Sequence, residues 1–163
     1  MGCASMTIGR SRTAMRIPDS LFTIINPAVR FLLQSPLHRF WSKSLMLITF
    51  TGRKTGKVYT TPVRYLRAGG SVWAFTSVEN SWWKNLRGGA SVRVRIEGKE
   101  RACRADAVVD DPEAIRSALA EFLAQFPQDA PYYDIGLSSD GHPLEADLER
   151  AARRTAWVRV YPQ

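Results

Sequence analysis

The sequence is poor in the residues that ligate metals and staple folds. Two cysteines, Cys3 and Cys103, and two histidines, His38 and His142, are spread over 163 residues. They lack metal-ligand spacing, which argues against a structural zinc site. A single disulfide would staple little, so a reducing cytosol is the expected compartment. No apolar run reaches the roughly 18 residues that a membrane-spanning helix needs. The N-terminal residues carry Arg10, Arg12 and Arg16 without a continuous apolar stretch, so they do not read as a secretory signal. Met6 stands where a myristoylation signal wants Ser or Thr. Ser, His and Asp all occur, but nothing arranges them as a triad.

What is present is an ordinary apolar fraction, 45%, and a cation excess of 23 Lys and Arg over 15 Asp and Glu. The length favours one domain, and a domain of this size buries about 68–70% of its unfolded surface without staples. The net charge of +8 attracts anionic partners: a phosphorylated cofactor, nucleic acid or an acidic membrane surface. No strand interleaves aromatic and basic residues, so nucleic acid is not the expected partner.

Residues 1–19 are small, polar and basic and read as a disordered segment before a single domain over 20–163. Asn26-Pro27 and Ser35-Pro36 are cap-and-proline signals for short helices over 27–34 and 36–42. Phe31, Leu32, Leu33, Leu37, Phe40 and Trp41 beside Arg30, Arg39 and Lys43 suit an anionic membrane interface, a cover over the core or a dimer contact. His38 in that stretch reads as a packing residue.

Strand-like segments then follow at 44–51, 57–66, 72–77, 91–97, 101–109 and 155–161. Pro62 argues for an edge or bulge. Ser81 can cap a short helix that Gly88-Gly89 ends. Asp110-Asp111-Pro112 starts the clearest helix, with Ile115, Leu119, Phe122 and Leu123 on one face. Residues 127–141 read as loop, and 143–154 as a small helix with acids early and arginines late. About six successive strands with short turns and peripheral helices predict an antiparallel α+β barrel rather than a parallel sheet.

Two constellations carry chemistry. The hairpin Thr51-Gly52-Arg53-Lys54-Thr55-Gly56-Lys57 is not a Walker loop. Its glycines are too close, and Val58 rather than Ser or Thr follows Lys57. Its amides can still cradle an anion, with Arg53 as a bidentate grip and Lys54 as a point charge. The alternative is a solvated hairpin tip. In the second, Ser81-Trp82-Trp83-Lys84-Asn85-Leu86, neighbouring helical side chains point about 100° apart. One tryptophan packs inward, with Leu86 if it is Trp82, and the other floors a planar ring. Alternatively both are core or interface residues. Tyr132-Tyr133 offers phenols that can donate to a developing oxyanion, or is ordinary surface tyrosine.

The segment from Leu47 through TGRKTGK, then Thr60-Thr61-Pro62, then Trp82-Trp83-Lys84-Asn85-Leu86, resembles the deazaflavin-dependent nitroreductase family. The resemblance runs from about residue 25 to the last strand. It implies an antiparallel split β-barrel related to flavin-binding oxidoreductases. It implies coenzyme F-420, an 8-hydroxy-5-deazaflavin with an anionic phospholactyl and polyglutamate tail, as hydride donor to a quinone, nitroaromatic or similar lipophilic acceptor. By matching positions, Arg53, Lys54 and Gly56 would hold the tail. Thr61, Pro62 and Val63 would line the deazaflavin. Trp82 and Asn85 would border the ring and the substrate mouth. Thr55 and Ser77 would also contact the cofactor, and Tyr133 would be the catalytic residue on the substrate side. The chemistry belongs to the cofactor, which suits a chain without evident nucleophiles. The resemblance also admits a non-catalytic fatty-acid- or lipid-binding barrel and a flavin mononucleotide (FMN) binder. The expected location is cytoplasmic, peripheral on the inner membrane face, as a homodimer.

Overall fold

The computed structural model describes residues 44–162. The segment 1–19 and the helices expected over 27–34 and 36–42 fall outside those residues. Seven strands follow: β1 Leu45–Thr51, β2 Val58–Arg64, β3 Leu66–Ala68, β4 Ser71–Ser77, β5 Ala90–Ile96, β6 Lys99–Val108 and β7 Thr155–Pro162. Every pairing is antiparallel, in the order β2-β1-β5-β6-β7-β4-β3.

That order dictates the shape. β2 and β3 stand at opposite ends of the sheet, yet a single residue, Tyr65, separates them in the chain. The sheet must therefore roll until its two edges meet. At Arg64 the chain pairs with Leu45 of β1, and at Leu66 it pairs with Trp73 of β4. Tyr65, buried at the corner, donates its N–H to the Ser44 carbonyl at 2.9 Å. The expectation of about six strands becomes seven because this corner divides the segment 57–66. The fold class is the expected one: a curled antiparallel half-barrel with peripheral helices. Pro62 lies on β2, an edge strand, where its missing N–H is tolerated.

Alternation along the strands builds two cores. Met46, Ile48 and Phe50 of β1 point into the barrel with Val92, Val94, Ala105, Val158 and Val160. Phe75 and Trp157 point outward and receive Ile115, Leu119, Phe122 and Leu123. Those four side chains come from helix α1, Pro112–Gln125. Full burial of such a side chain contributes about 1.5–3 kcal/mol, so this stripe fixes the helix to the sheet. Asp111 caps α1 by accepting from Ala114 N–H at 3.0 Å, and Pro112 opens its first turn. Helix α2, Glu145–Ala152, adds Leu148, Ala151 and Ala152 to the same layer. The stretch expected as loop holds a 3-10 helix, Pro127–Tyr133. It is pinned by buried Ala130 and ended by Asp134 in the left-handed conformation at φ 56°.

Candidate functional site

The hairpin between β1 and β2 faces the short 3-10 helix Trp82–Asn85. Between them lies a cleft of about 640 Å³. Its apolar wall is Phe50, Tyr59 and Trp82. Phe50 and Tyr59 are partners across β1 and β2, and their rings stack with centroids 5.9 Å apart. Trp82 tilts over Phe50 at 6.0 Å. The polar wall brings Thr60, Thr61 and Ser81, and Lys54 and Lys84 stand at the rim.

The hairpin is built from its glycines. Gly52 donates its N–H to the Lys57 carbonyl at 2.7 Å, and Gly56 donates to the Gly52 carbonyl at 2.8 Å. Gly56 sits at φ 64°, a conformation side chains disfavour. Lys57 N–H donates to Thr55 Oγ1 at 3.3 Å. These contacts narrow the expected anion cradle. The amides of Gly52, Arg53, Gly56 and Lys57 are engaged within the protein, and those of Lys54 and Thr55 have no partner among the described residues.

Arg53 does not project as a free grip. Its N–H donates to Asn85 Oδ1 at 3.0 Å, and its Nε to the Asn85 carbonyl at 3.1 Å. Its Nη2 donates to the Arg87 carbonyl. The Asn85 amide donates to the Trp82 carbonyl at 3.0 Å, which closes the 3-10 turn. Lys54 has no ion-pair partner among the described residues.

The tryptophan pair divides as two adjacent helical residues must. Trp83 is the inward one, 5% exposed, beside fully buried Leu86, and its indole N–H donates to the Val78 carbonyl at 3.3 Å. Trp82 is half-buried and faces the cleft. Ser81 gives no side-chain cap, which corrects the expectation for that helix start. The helix is too short and too tight for an α-type cap to form.

The structure thus gathers Arg53, Lys54, Thr55, Thr61, Trp82 and Asn85 around one cleft. Gly56 belongs to the same turn. Val63 lies on the barrel face of β2 and packs against the inner core. Pro62, between Thr61 and Val63, points to the other face. Ser77 and Tyr133 line a second, small hollow with Tyr132, Asp134, Arg150 and Arg154. Burial first, then Tyr132 and Asp129, pushes the Tyr133 phenol well above its ordinary value, so its hydroxyl stays protonated. Its ring meets Phe122 edge-on at 6.3 Å. Cys103 is buried in the barrel wall, and burial pushes its thiol up against the opposing effect of Arg101.

Sequence reasoning missed Phe50, Tyr59, Thr60 and Lys84 as cleft residues. Phe50 was recoverable from strand parity, because it ends the buried alternation of β1 beside the hairpin. Lys84 had no local signal.

A family model described as F-420H(2)-dependent quinone reductase matches residues 33–134, well over half of the chain. A comparison with curated proteins found no match. Among solved structures, the protein Atu2129 of unknown function from Agrobacterium tumefaciens str. C58 is 17% identical, with a TM-score of 0.52 over 74% of this chain. The match covers 48% of Atu2129, so this chain spans about half of that protein's length, and the likeness is one of fold. An F-420-H2 dependent reductase (FDR-A) matches at 18% identity and TM-score 0.47, over 72% of this chain and 94% of that one. An FAD and heme binding protein from Mycobacterium smegmatis matches at 16% identity and TM-score 0.49, over 75% of this chain and 62% of that one. On the extent of the family match, the chain belongs to the F-420H(2)-dependent quinone reductase family.

Proposed function

We propose that this protein uses reduced coenzyme F-420 to reduce a quinone, a nitroaromatic or a similar lipophilic acceptor. The observation that carries the reading is the cleft in which Phe50, Tyr59 and Trp82 stand beside the cationic TGRKTG hairpin. The donor set fits the cofactor. A flat ring meets aromatic faces and the polar edge of Thr60 and Thr61, and an anionic tail meets Lys54, Lys84 and the open amides of Lys54 and Thr55. When bound, the reduced deazaflavin supplies a hydride from its C5 position.

The chain's own contribution is position and electrostatics. Thr61 and Val63 on the barrel face of β2 would border the ring, with Pro62 offering backbone only. Trp82 would exclude water from one face, and Asn85 would hold the rim. Ser77 and Tyr133 lie in the second hollow, from which Tyr133 would serve the acceptor as a neutral hydrogen-bond donor. The same proposal includes a homodimer and a peripheral position on an anionic membrane face.

The test is titration of the purified protein with F-420, read by cofactor fluorescence at physiological salt. Saturable micromolar binding, with weaker binding of FMN, is expected, followed by turnover of a quinone or nitroaromatic. Absence of binding into the high micromolar range would remove the oxidoreductase reading. Sedimentation with fatty-acid-loaded liposomes would then decide for the lipid-binding barrel.

A further inference from the structure

The arrangement around Arg53 points to a division of labour inside the cationic hairpin. We infer that Arg53 is a positioning residue, a clasp that fixes the hairpin against the Trp82–Asn85 helix and sets the width of the cleft. Lys54 and Lys84 are then the cations left to contact an anionic ligand directly, with the Arg53 charge fixed behind them. The cofactor arm of this inference rests on the F-420 reading; the clasp itself does not.

Three contacts converge on the clasp. The Arg53 amide takes the Asn85 side-chain oxygen at 3.0 Å, its Nε takes the Asn85 carbonyl at 3.1 Å, and its Nη2 takes the Arg87 carbonyl. The two carbonyl contacts use the planar fork of a guanidinium, which an ammonium cannot reproduce. They satisfy the carbonyl of the last residue of the 3-10 helix and one just past its C-cap, where backbone acceptors lack partners within the helix. Asn85 is locked in turn by its own bond to the Trp82 carbonyl. The Nε–Nη2 edge held in this way faces the helix end, while Arg53 itself stays at the cleft rim. Lys54 and Lys84 are exposed on the cleft rim, without ion-pair partners among the described residues. The clasp therefore couples the residue that orients Trp82 to the turn that presents Lys54.

Arg53→Lys separates the two roles, because it keeps the charge and removes the fork. The first measurement needs no cofactor. Amide hydrogen exchange over 52–57 is compared in the free protein for wild type, Arg53→Lys, Asn85→Ala and the double variant. A clasp predicts faster exchange in each single variant and a double variant that departs from the sum of the two, since residues of one hydrogen-bond network couple. Unchanged exchange in Arg53→Lys, or additive effects, would overturn the inference. The second measurement is F-420 binding against salt. Arg53→Lys should weaken binding about tenfold while leaving the salt dependence as in wild type, since each lost contact is a charge-assisted hydrogen bond. Lys54→Ala should flatten the salt dependence. Wild-type affinity in Arg53→Lys would show that charge alone suffices, and would also overturn the inference. If wild type binds no F-420, the functional reading fails and the exchange data still decide the clasp.

Discussion

Gly52 shows how one atom governs the cleft. It is buried at the root of the hairpin, and a β-carbon there would lie 2.7 Å from Thr55 Oγ1 and 2.7 Å from Tyr59 Cε2. Both side chains must shift to admit it, so Gly52→Ala is expected to move the Tyr59 ring against Phe50 and disturb the Thr55–Tyr59 hydroxyl contact of 3.2 Å. Overpacking of this kind costs about 1–3 kcal/mol. The expected result is a lower urea midpoint together with weaker F-420 binding, and a variant that binds as tightly as wild type would contradict the placement of Tyr59 in the cleft wall. Tyr133 tests the proposed acceptor side. Its hydroxyl is protonated throughout the neutral range, because burial raises a group whose ordinary pKa is about 10. Tyr133→Phe should therefore lower acceptor turnover about a hundredfold with no change in cofactor Kd. No basic limb below pH about 10 should be assignable to this phenol in wild type. Turnover equal to wild type would remove Tyr133 from the chemistry. At this scale the sequence was partly legible. Turn glycines, paired tryptophans and the basic tip are visible as residue types. The direction in which Arg53 points is not, because it depends on a helix end 32 positions further along.

Among the elements, α1 and the β1–β2 hairpin were readable in advance. Asp111-Pro112 is a cap and first turn in sequence and in structure, and the apolar stripe of α1 is the face it buries. The short helix after Ser81 was expected, though not its missing cap; the 3-10 helix Pro127–Tyr133 was not, because tertiary anchors rather than propensity hold it. Pro127–Tyr133 is tied by Asp129, which meets Arg64 of β2 at 2.5 Å with both side chains largely buried. Residues C-terminal to that helix are tied by Asp147 of α2, which accepts from Gly136 N–H at 2.8 Å and from Arg150 Nη2 at 2.7 Å. The Gly136 amide first, then Arg150, holds the Asp147 carboxyl below the usual carboxylate range. A carboxyl depressed in the folded state contributes stability at pH above its unfolded value, and that contribution is lost as pH falls through the folded value. Asp147→Asn should therefore unfold more easily than wild type at neutral pH. The difference should shrink as the pH drops below the ordinary value of 3.8. Urea midpoints at neutral and acid pH measure it, and a gap that widened in acid would mean that Asp147 is not the group concerned.

At the scale of the whole molecule, closure and charge act together. Strand-like segments are legible from alternation, but their order is not. The pairing of β7 between β6 and β4, and the corner at Tyr65 that brings the edges of the sheet together, are long-range choices with no local signature. That closure places the hairpin tip and the Trp82 helix on one rim, so the cationic turn opens beside the aromatic wall. Around it the chain carries a net charge of +8. A polyanionic ligand approaching such a body is steered over distances that exceed any contact, and counter-ions shorten that reach to about 10 Å at 0.1 M salt. The association rate for F-420 should consequently fall by about tenfold or more between roughly 0.02 M and 0.5 M salt, because the Debye length shrinks severalfold over that range. The dissociation rate should change far less, since aromatic contact in the cleft is uncharged. Stopped-flow cofactor fluorescence resolves the two rates. An association rate indifferent to salt would mean that the tail does not enter along the cationic rim, and that the aromatic cleft selects the ring without help from the charge of the molecule.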